Sequence, residues 1–137
     1  RNKRMLARLK ALAATLPFDA AFARRVAEVE AELRALEMLT LRALAEQGSE
    51  AATAWPAGSI LHVLGSELQQ KTGALLVQAL GERGVIDYPD DAEAGRLPGP
   101  EAGPGITADF LYRRAVTIYG GSNEIQRNLI ARHWLGA

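Results

Sequence analysis

The sequence predicts an all-α fold, an antiparallel up-down four-helix bundle. Three observations predict it. Apolar residues recur at spacings of three and four through nearly every segment. The breaks between segments are short and rich in Gly, Pro and Ser. No run of useful length alternates apolar and polar residues as a half-buried strand would. Helices of this length joined by short breaks pack as antiparallel neighbours.

In the first helix, residues 1 to about 15, Met5, Leu6, Leu9, Leu12, Ala13 and Leu16 form one apolar stripe. Pro17 stops it, and Asp19 is placed to cap the next. The second helix runs from Ala20 to about Glu46. Its stripe is Phe22, Val26, Val29, Leu33, Leu36, Thr40 and Ala43, with Arg24, Arg25, Glu28, Glu32 and Arg34 on the opposite face. Gln47-Gly48-Ser49 ends it, and Ala51–Gly58 reads as a loop carrying Trp55-Pro56. A third helix starts near Ser59 and runs to about Leu80 on Leu61, Leu64, Leu68, Leu75 and Ala79. Gly73 inside it costs about 1 kcal/mol relative to Ala, so a close helix contact is expected there. Gly81 suits a left-handed C-terminal cap. Residues 85–105 hold four of the six prolines and read as a mobile connection. Thr107 caps a short helix from Ala108 to about Thr117, and the last helix spans Asn123 to about Leu135.

Composition narrows the function classes. The 137 residues fit one domain and can bury roughly two thirds of the unfolded chain's surface. Sixteen basic and sixteen acidic residues cancel, so no nucleic-acid or membrane-surface footprint is expected. There is no cysteine, which removes disulfide and thiolate chemistry and fits a cytoplasmic location. No apolar run approaches the roughly 20 residues of a membrane span. His62 and His133 are the only histidines and have no partner at metal-ligand spacing. No Gly-x-Ser-x-Gly or Ser-His pattern points to a nucleophile. The opening Arg1-Asn2-Lys3-Arg4 is already in helical pattern, which is expected of a fragment of something longer.

Three motifs remain. Tyr119-Gly120-Gly121-Ser122-Asn123-Glu124 places two glycines between helices, Ser122 at an N-cap and Glu124 in a first turn. It reads as a plain turn, or as a close backbone approach beside helix N–H groups that can meet an anion or a polar cofactor edge. Gln78-Ala79-Leu80-Gly81-Glu82-Arg83-Gly84 reads as a helix end, or as backbone approach to a cofactor with the Gln78 amide offering donor and acceptors. Arg113-Arg114 reads as a solvated face, or as a phosphate grip.

The stretch Ile118–Arg132 (Ile-Tyr-Gly-Gly-Ser-Asn-Glu-Ile-Gln-Arg-Asn-Leu-Ile-Ala-Arg) and the closing His133-Trp134-Leu135-Gly136 resemble the C-terminal signature of the acyl-CoA dehydrogenase flavoproteins. The likeness covers nearly the whole chain in order, most closely at 107–136 and next at 74–84. It implies the family's C-terminal four-helix bundle with most of its first helix missing, in a homo- or hetero-oligomer. The cofactor it implies is FAD and the substrate an acyl-CoA thioester, which loses an α-proton to a carboxylate and a β-hydride to the flavin. Gln78, Ala79, Leu80, Gly81 and Glu82 match the segment that approaches FAD of a neighbouring subunit. Ser122, Asn123 and Glu124 match the stretch that meets FAD at the start of the last helix.

Two departures accompany the likeness. Many members carry the base as the Glu of a Tyr-Glu-Gly triplet, and that position here is Gly120, which cannot take a proton. Other branches carry it on the bundle's first helix, before Arg1. The chain therefore holds no catalytic residue of its own. The family's Arg-Gln-Phe-Gly segment corresponds to Arg8-Leu9-Lys10-Ala11, where only Arg8 matches. These departures leave two expectations: a bundle domain of an FAD-dependent dehydrogenase, or a non-catalytic assembly subunit of a mixed-subunit flavoprotein.

Overall fold

A computed structural model describes residues 1–85 and 105–136. Five α-helices follow in order: α1 (Asn2–Thr15), α2 (Ala20–Glu46), α3 (Ala57–Leu80), α4 (Ile106–Tyr112) and α5 (Asn123–Leu135). Short 3₁₀ turns cover Glu50–Thr53, Gly81–Val85 and Arg113–Thr117. No strand occurs among the described residues, so the all-α antiparallel bundle stands. The expected mobile connection, apart from its end residues 85 and 105, lies outside the described residues.

The core is built by the predicted periodicity. Met5, Leu6, Leu9 and Leu12 of α1 meet Phe22, Val26, Val29 and Leu33 of α2 and Leu68, Leu75, Leu76, Ala79 and Leu80 of α3. Leu9 and Leu12 have no exposed surface. Asp19 caps α2 as expected, its carboxylate accepting from the Phe22 N–H at 2.7 Å. The Phe18 and Phe22 rings stack at 4.1 Å between centroids beside that cap. At Gly73 an added Cβ would lie 3.4 Å from Phe110 and 3.8 Å from Met5. The close approach predicted there is real, and α1 and α4 both make it.

The structure corrects several details. α3 begins at Ala57 with Pro56 at its N-cap, two residues before Ser59. Its buried set is Val63, Ser66, Leu68, Thr72, Gly73, Leu75, Leu76, Ala79 and Leu80, while Leu61 is half-buried and Leu64 is 42% exposed. The reason is topological. α3 packs against α1, α2, α4 and α5, so it is buried over a wide arc and not along one stripe. The predicted stripe of α2 also fades, with Thr40 exposed and Met38, Leu41 and Leu44 more than half exposed. α2 is about 40 Å long and α1 about 21 Å, so α1 cannot cover the distal half. Thr107 is not a cap. α4 starts at Ile106 after Gly105, and the Thr107 hydroxyl donates to the Gly84 carbonyl at 3.0 Å. The short helix tightens to 3₁₀ after Tyr112.

Candidate functional site

α3 positions everything that follows, because both candidate segments are fastened to it at different heights. At its C-terminal end the chain turns at Gly81, whose φ of 58° and ψ of −134° only glycine adopts readily. The positive φ was predicted, but ψ lies outside the left-handed helical well. The Gly81 N–H donates to the Gln78 carbonyl. A Cβ on Gly84 would meet the Val77 carbonyl oxygen at 2.8 Å, so the chain folds back tightly on α3.

The five candidates at this end do not behave alike. The Ala79 and Leu80 side chains are buried in the core, leaving only their backbone for a ligand. Gly81 and Glu82 are exposed. The Gln78 side chain is exposed, and its amide oxygen accepts a 2.6 Å hydrogen bond from Arg25 Nη1 of α2. These residues sit at the negative end of the α3 dipole. The end is therefore rich in carbonyl acceptors and matches hydroxyl or amine donors better than bare phosphate.

The second segment lies against the first half of α3. Gly120 and Gly121 have φ of 74° and 99°. A Cβ at Gly120 would stand 3.5 Å from His62 Cε1, ordinary contact, so conformation and not space favours glycine there. A Cβ at Gly121 would lie 2.6 Å from Gln126 Nε2. His62 Nε2 is buried and has no hydrogen-bond partner among the described residues. Cε1 lies between the two ring nitrogens, so the nitrogen-bearing edge of the imidazole faces the glycine loop.

Ser122 caps α5, its hydroxyl accepting from the Ile125 N–H at 3.4 Å. Asn123 is only 3% exposed, and its amide oxygen accepts from the Ser66 hydroxyl at 3.0 Å, which fixes the start of α5 to α3. Glu124 is held below the ordinary carboxylate range by its own backbone N–H, then by the Ser122 hydroxyl and Arg127. The first-turn N–H of Ile125 is thus satisfied within the helix end itself.

Ser66 and Gln78 are twelve residues apart on α3, about 18 Å of helix. One chain therefore does not gather Gln78–Glu82 and Ser122–Glu124 into one pocket. The arginine pair separates too. Arg113 is 7% exposed and is clamped by both Asp109 oxygens at 2.6 Å and by Gln69 at 3.0 Å, whereas Arg114 is exposed and lies over the Phe110 ring. Neither a shared phosphate grip nor a solvated pair describes them. Arg8 lines a cavity of about 400 Å³ with Arg1, Arg4, Asp109 and Arg113 between α1 and α4. Arg127 of α5 pairs with Glu67 of α3. No group of three or more His, Cys, Asp or Glu able to hold a metal occurs among the described residues.

Sequence reasoning missed Arg25, His62 as a loop neighbour, and Ser66. A serine in mid-helix was the available signal, since Ser is a poor interior residue unless its hydroxyl has work. Arg25 gave none, being one charge among many on an outer face.

The sequence profile of the family described as "Acyl-CoA dehydrogenase, C-terminal domain" matches residues 4–135. The chain belongs to this family. Among curated relatives, this acyl-CoA dehydrogenase C-terminal domain is 70% identical over 27 residues to "Acyl-CoA dehydrogenase IpdE1" of Mycobacterium tuberculosis (strain ATCC 25618 / H37Rv). It has the same identity, over the same length, to the protein of that name from Mycolicibacterium smegmatis (strain ATCC 700084 / mc(2)155). Each match covers 20% of this chain and 7% of the relative. No solved structure matches it significantly. No helix among the described residues of the acyl-CoA dehydrogenase domain is long and apolar enough to cross a membrane.

Proposed function

We propose that this chain is the C-terminal bundle of an FAD-dependent acyl-CoA dehydrogenase, and that it contributes part of the flavin site and much of the oligomer interface. One observation carries the reading. The two segments that the reading sets against the ligand are both anchored on α3, yet about 18 Å of helix separates their anchors. That separation suits a flavin lying between subunits, touched by the α3 end of one copy and by the α5 start of another. Exposed Ile118, Tyr119, Ile125 and Leu129 beside the second segment offer an apolar surface for such a neighbour.

The residues present fit the cofactor's periphery. The Gln78 amide and the backbone at Gly81 would hold ribose or adenine polar groups, and the glycine loop with Ser122 would take a polar ring edge. FAD, when bound, supplies the acceptor for the substrate's β-hydrogen. The chain itself orients, and it excludes water with its exposed apolar residues. It has no carboxylate at Gly120 to take the α-proton, so that group comes from outside residues 1–137. The whole protein should show flavin absorbance that bleaches with an acyl-CoA, and the 137-residue chain alone should reduce no electron acceptor. Turnover by the chain alone would overturn the placement of the base, and a flavin-free whole protein would overturn the cofactor.

Gly120 favours a second reading, a non-catalytic subunit that completes a partner's site. Under it, the whole protein binds flavin only as a mixed complex, and separating the two subunits abolishes the bleaching.

A further inference from the structure

The seam between α2 and α3 holds a contact that the family likeness does not account for. Arg25 Nη1 donates to Gln78 Oε1 at 2.6 Å, linking residues 53 apart in sequence. Both side chains are exposed. Among the described residues Arg25 makes no ion pair, although the neighbouring Arg24 pairs with Glu28 one turn along the same helix. The arginine is bonded to an amide.

The chemistry of the two groups fixes a direction. A guanidinium only donates, so the amide oxygen of Gln78 must face Arg25. The NH₂ group then points away, and among the described residues it donates to nothing. A glutamine is normally ambiguous, able to present oxygen or nitrogen to a ligand. Here the ambiguity is removed, and the side chain becomes a donor. The cation also stands at the last turn of α3, where it offsets the negative end of the helix dipole. Without it, an acceptor-rich group would meet carbonyl oxygens alone.

We propose that Arg25 is a positioning residue that turns the Gln78 amide into a donor toward a ribose oxygen of a nucleotide cofactor. The inference rests on reading Gln78 as a flavin contact. It adds a residue on a different helix and specifies which half of the amide meets the ligand.

FAD affinity of the whole protein tests it, read by flavin fluorescence as FAD is titrated into the apoprotein. Arg25→Met should weaken FAD binding about threefold to tenfold, the worth of one ordinary hydrogen bond. Arg25→Lys should restore most of the loss, because an ammonium also only donates. Gln78→Leu should weaken binding, and adding Arg25→Met to it should do nothing more. Gln78→Glu is the discriminating variant. Its carboxylate pairs with Arg25, so the melting temperature should hold or rise, while FAD binding falls because no donor remains. If Arg25→Met leaves affinity unchanged, the inference falls. It falls equally if Arg25→Met still weakens binding in the Gln78→Leu background, since Arg25 would then touch the cofactor itself. A wild-type protein that binds no FAD would instead sink the flavin reading from which the inference starts.

Discussion

Removing the Ser66 hydroxyl should loosen the start of α5 by a predictable amount. Ser66 and Asn123 are 4% and 3% exposed, and the 3.0 Å bond between them is a buried polar tie between α3 and the helix that follows the glycine loop. Replacing both partners by apolar groups would forfeit only a net hydrogen bond, about 1 kcal/mol. Ser66→Ala alone leaves the Asn123 amide buried without its partner, which raises the cost to about 1–3 kcal/mol. Alanine's better helix propensity returns a few tenths. A net loss of about 1–2 kcal/mol follows, or roughly 3–10 °C in melting temperature for a chain of this size. Urea unfolding of wild type, Ser66→Ala, Asn123→Ala and the double variant measures it. The two single losses should overlap, the double variant losing about 1 kcal/mol less than their sum. Amide exchange at Gly120 and Gly121 should quicken in each single variant. Additive losses, or a Ser66→Ala indistinguishable from wild type with unchanged exchange, would refute the claim that this bond fixes the loop.

Leu9→Ala and Leu12→Ala remove side chains with no exposed surface and should each cost about 2–5 kcal/mol by denaturant unfolding. Gly84→Ala must displace backbone, since its Cβ would meet the Val77 carbonyl oxygen at 2.8 Å, and should destabilise by about 1–3 kcal/mol; Gly58→Ala, in α3 with nothing within 4 Å, should stabilise by about 0.5–1 kcal/mol. Glu30, Glu37, Glu46 and Glu124 are all held below the ordinary carboxylate range, led respectively by Lys10, Lys3, the Trp55 indole N–H and the Glu124 backbone N–H. A carboxylate with a lowered folded pKa contributes stability above its unfolded pKa and loses it as pH falls through the folded one. The unfolding midpoint should therefore hold near neutrality and decline as pH drops below about 4.5, and Glu46→Gln should flatten part of that decline.

Helix order and the α1–α2 half of the core were legible because their periodicity is simple and one-sided. Leu9, Leu12, Phe22, Val26, Val29 and Leu33 lie where the spacing puts them. Asp19, Ser122 and Gly73 were legible for a similar reason, each acting within a turn or through its size alone. α3 was misread because a helix with neighbours on several sides has no single stripe; Leu64 faces outward while Ser66 and Thr72 face in. The Thr72 hydroxyl resolves its burial by donating to the Leu68 carbonyl at 2.7 Å, a local bond that hydropathy does not register. Arg113 was misread because its partners Asp109 and Gln69 are set by tertiary packing. The same holds for Gln78. Its type and place were visible in the sequence, but the orientation of its amide depends on Arg25, 53 residues earlier.

The two ends of the candidate site have opposite electrostatic character, and this bears on what the chain can contribute. The α5 start directs positive N–H groups outward, yet Ser122 occupies one of them, and Glu124, its carboxyl held below the ordinary range, adds a negative charge. An anion there would have to displace a cap worth about 1 kcal/mol and face a carboxylate. The α3 end presents carbonyls, relieved by Arg25 and one oriented amide. Neither end is built for a bare, highly charged phosphate. Both suit the mixed donor and acceptor edges of a sugar or a heterocycle, which are the parts of a dinucleotide cofactor remote from its reacting atoms. A chain whose loop lacks a proton acceptor at Gly120 is thus consistent with its own surroundings. Under the function proposed above, the chain would hold the cofactor's non-reacting portions, and the acid-base group would come from elsewhere.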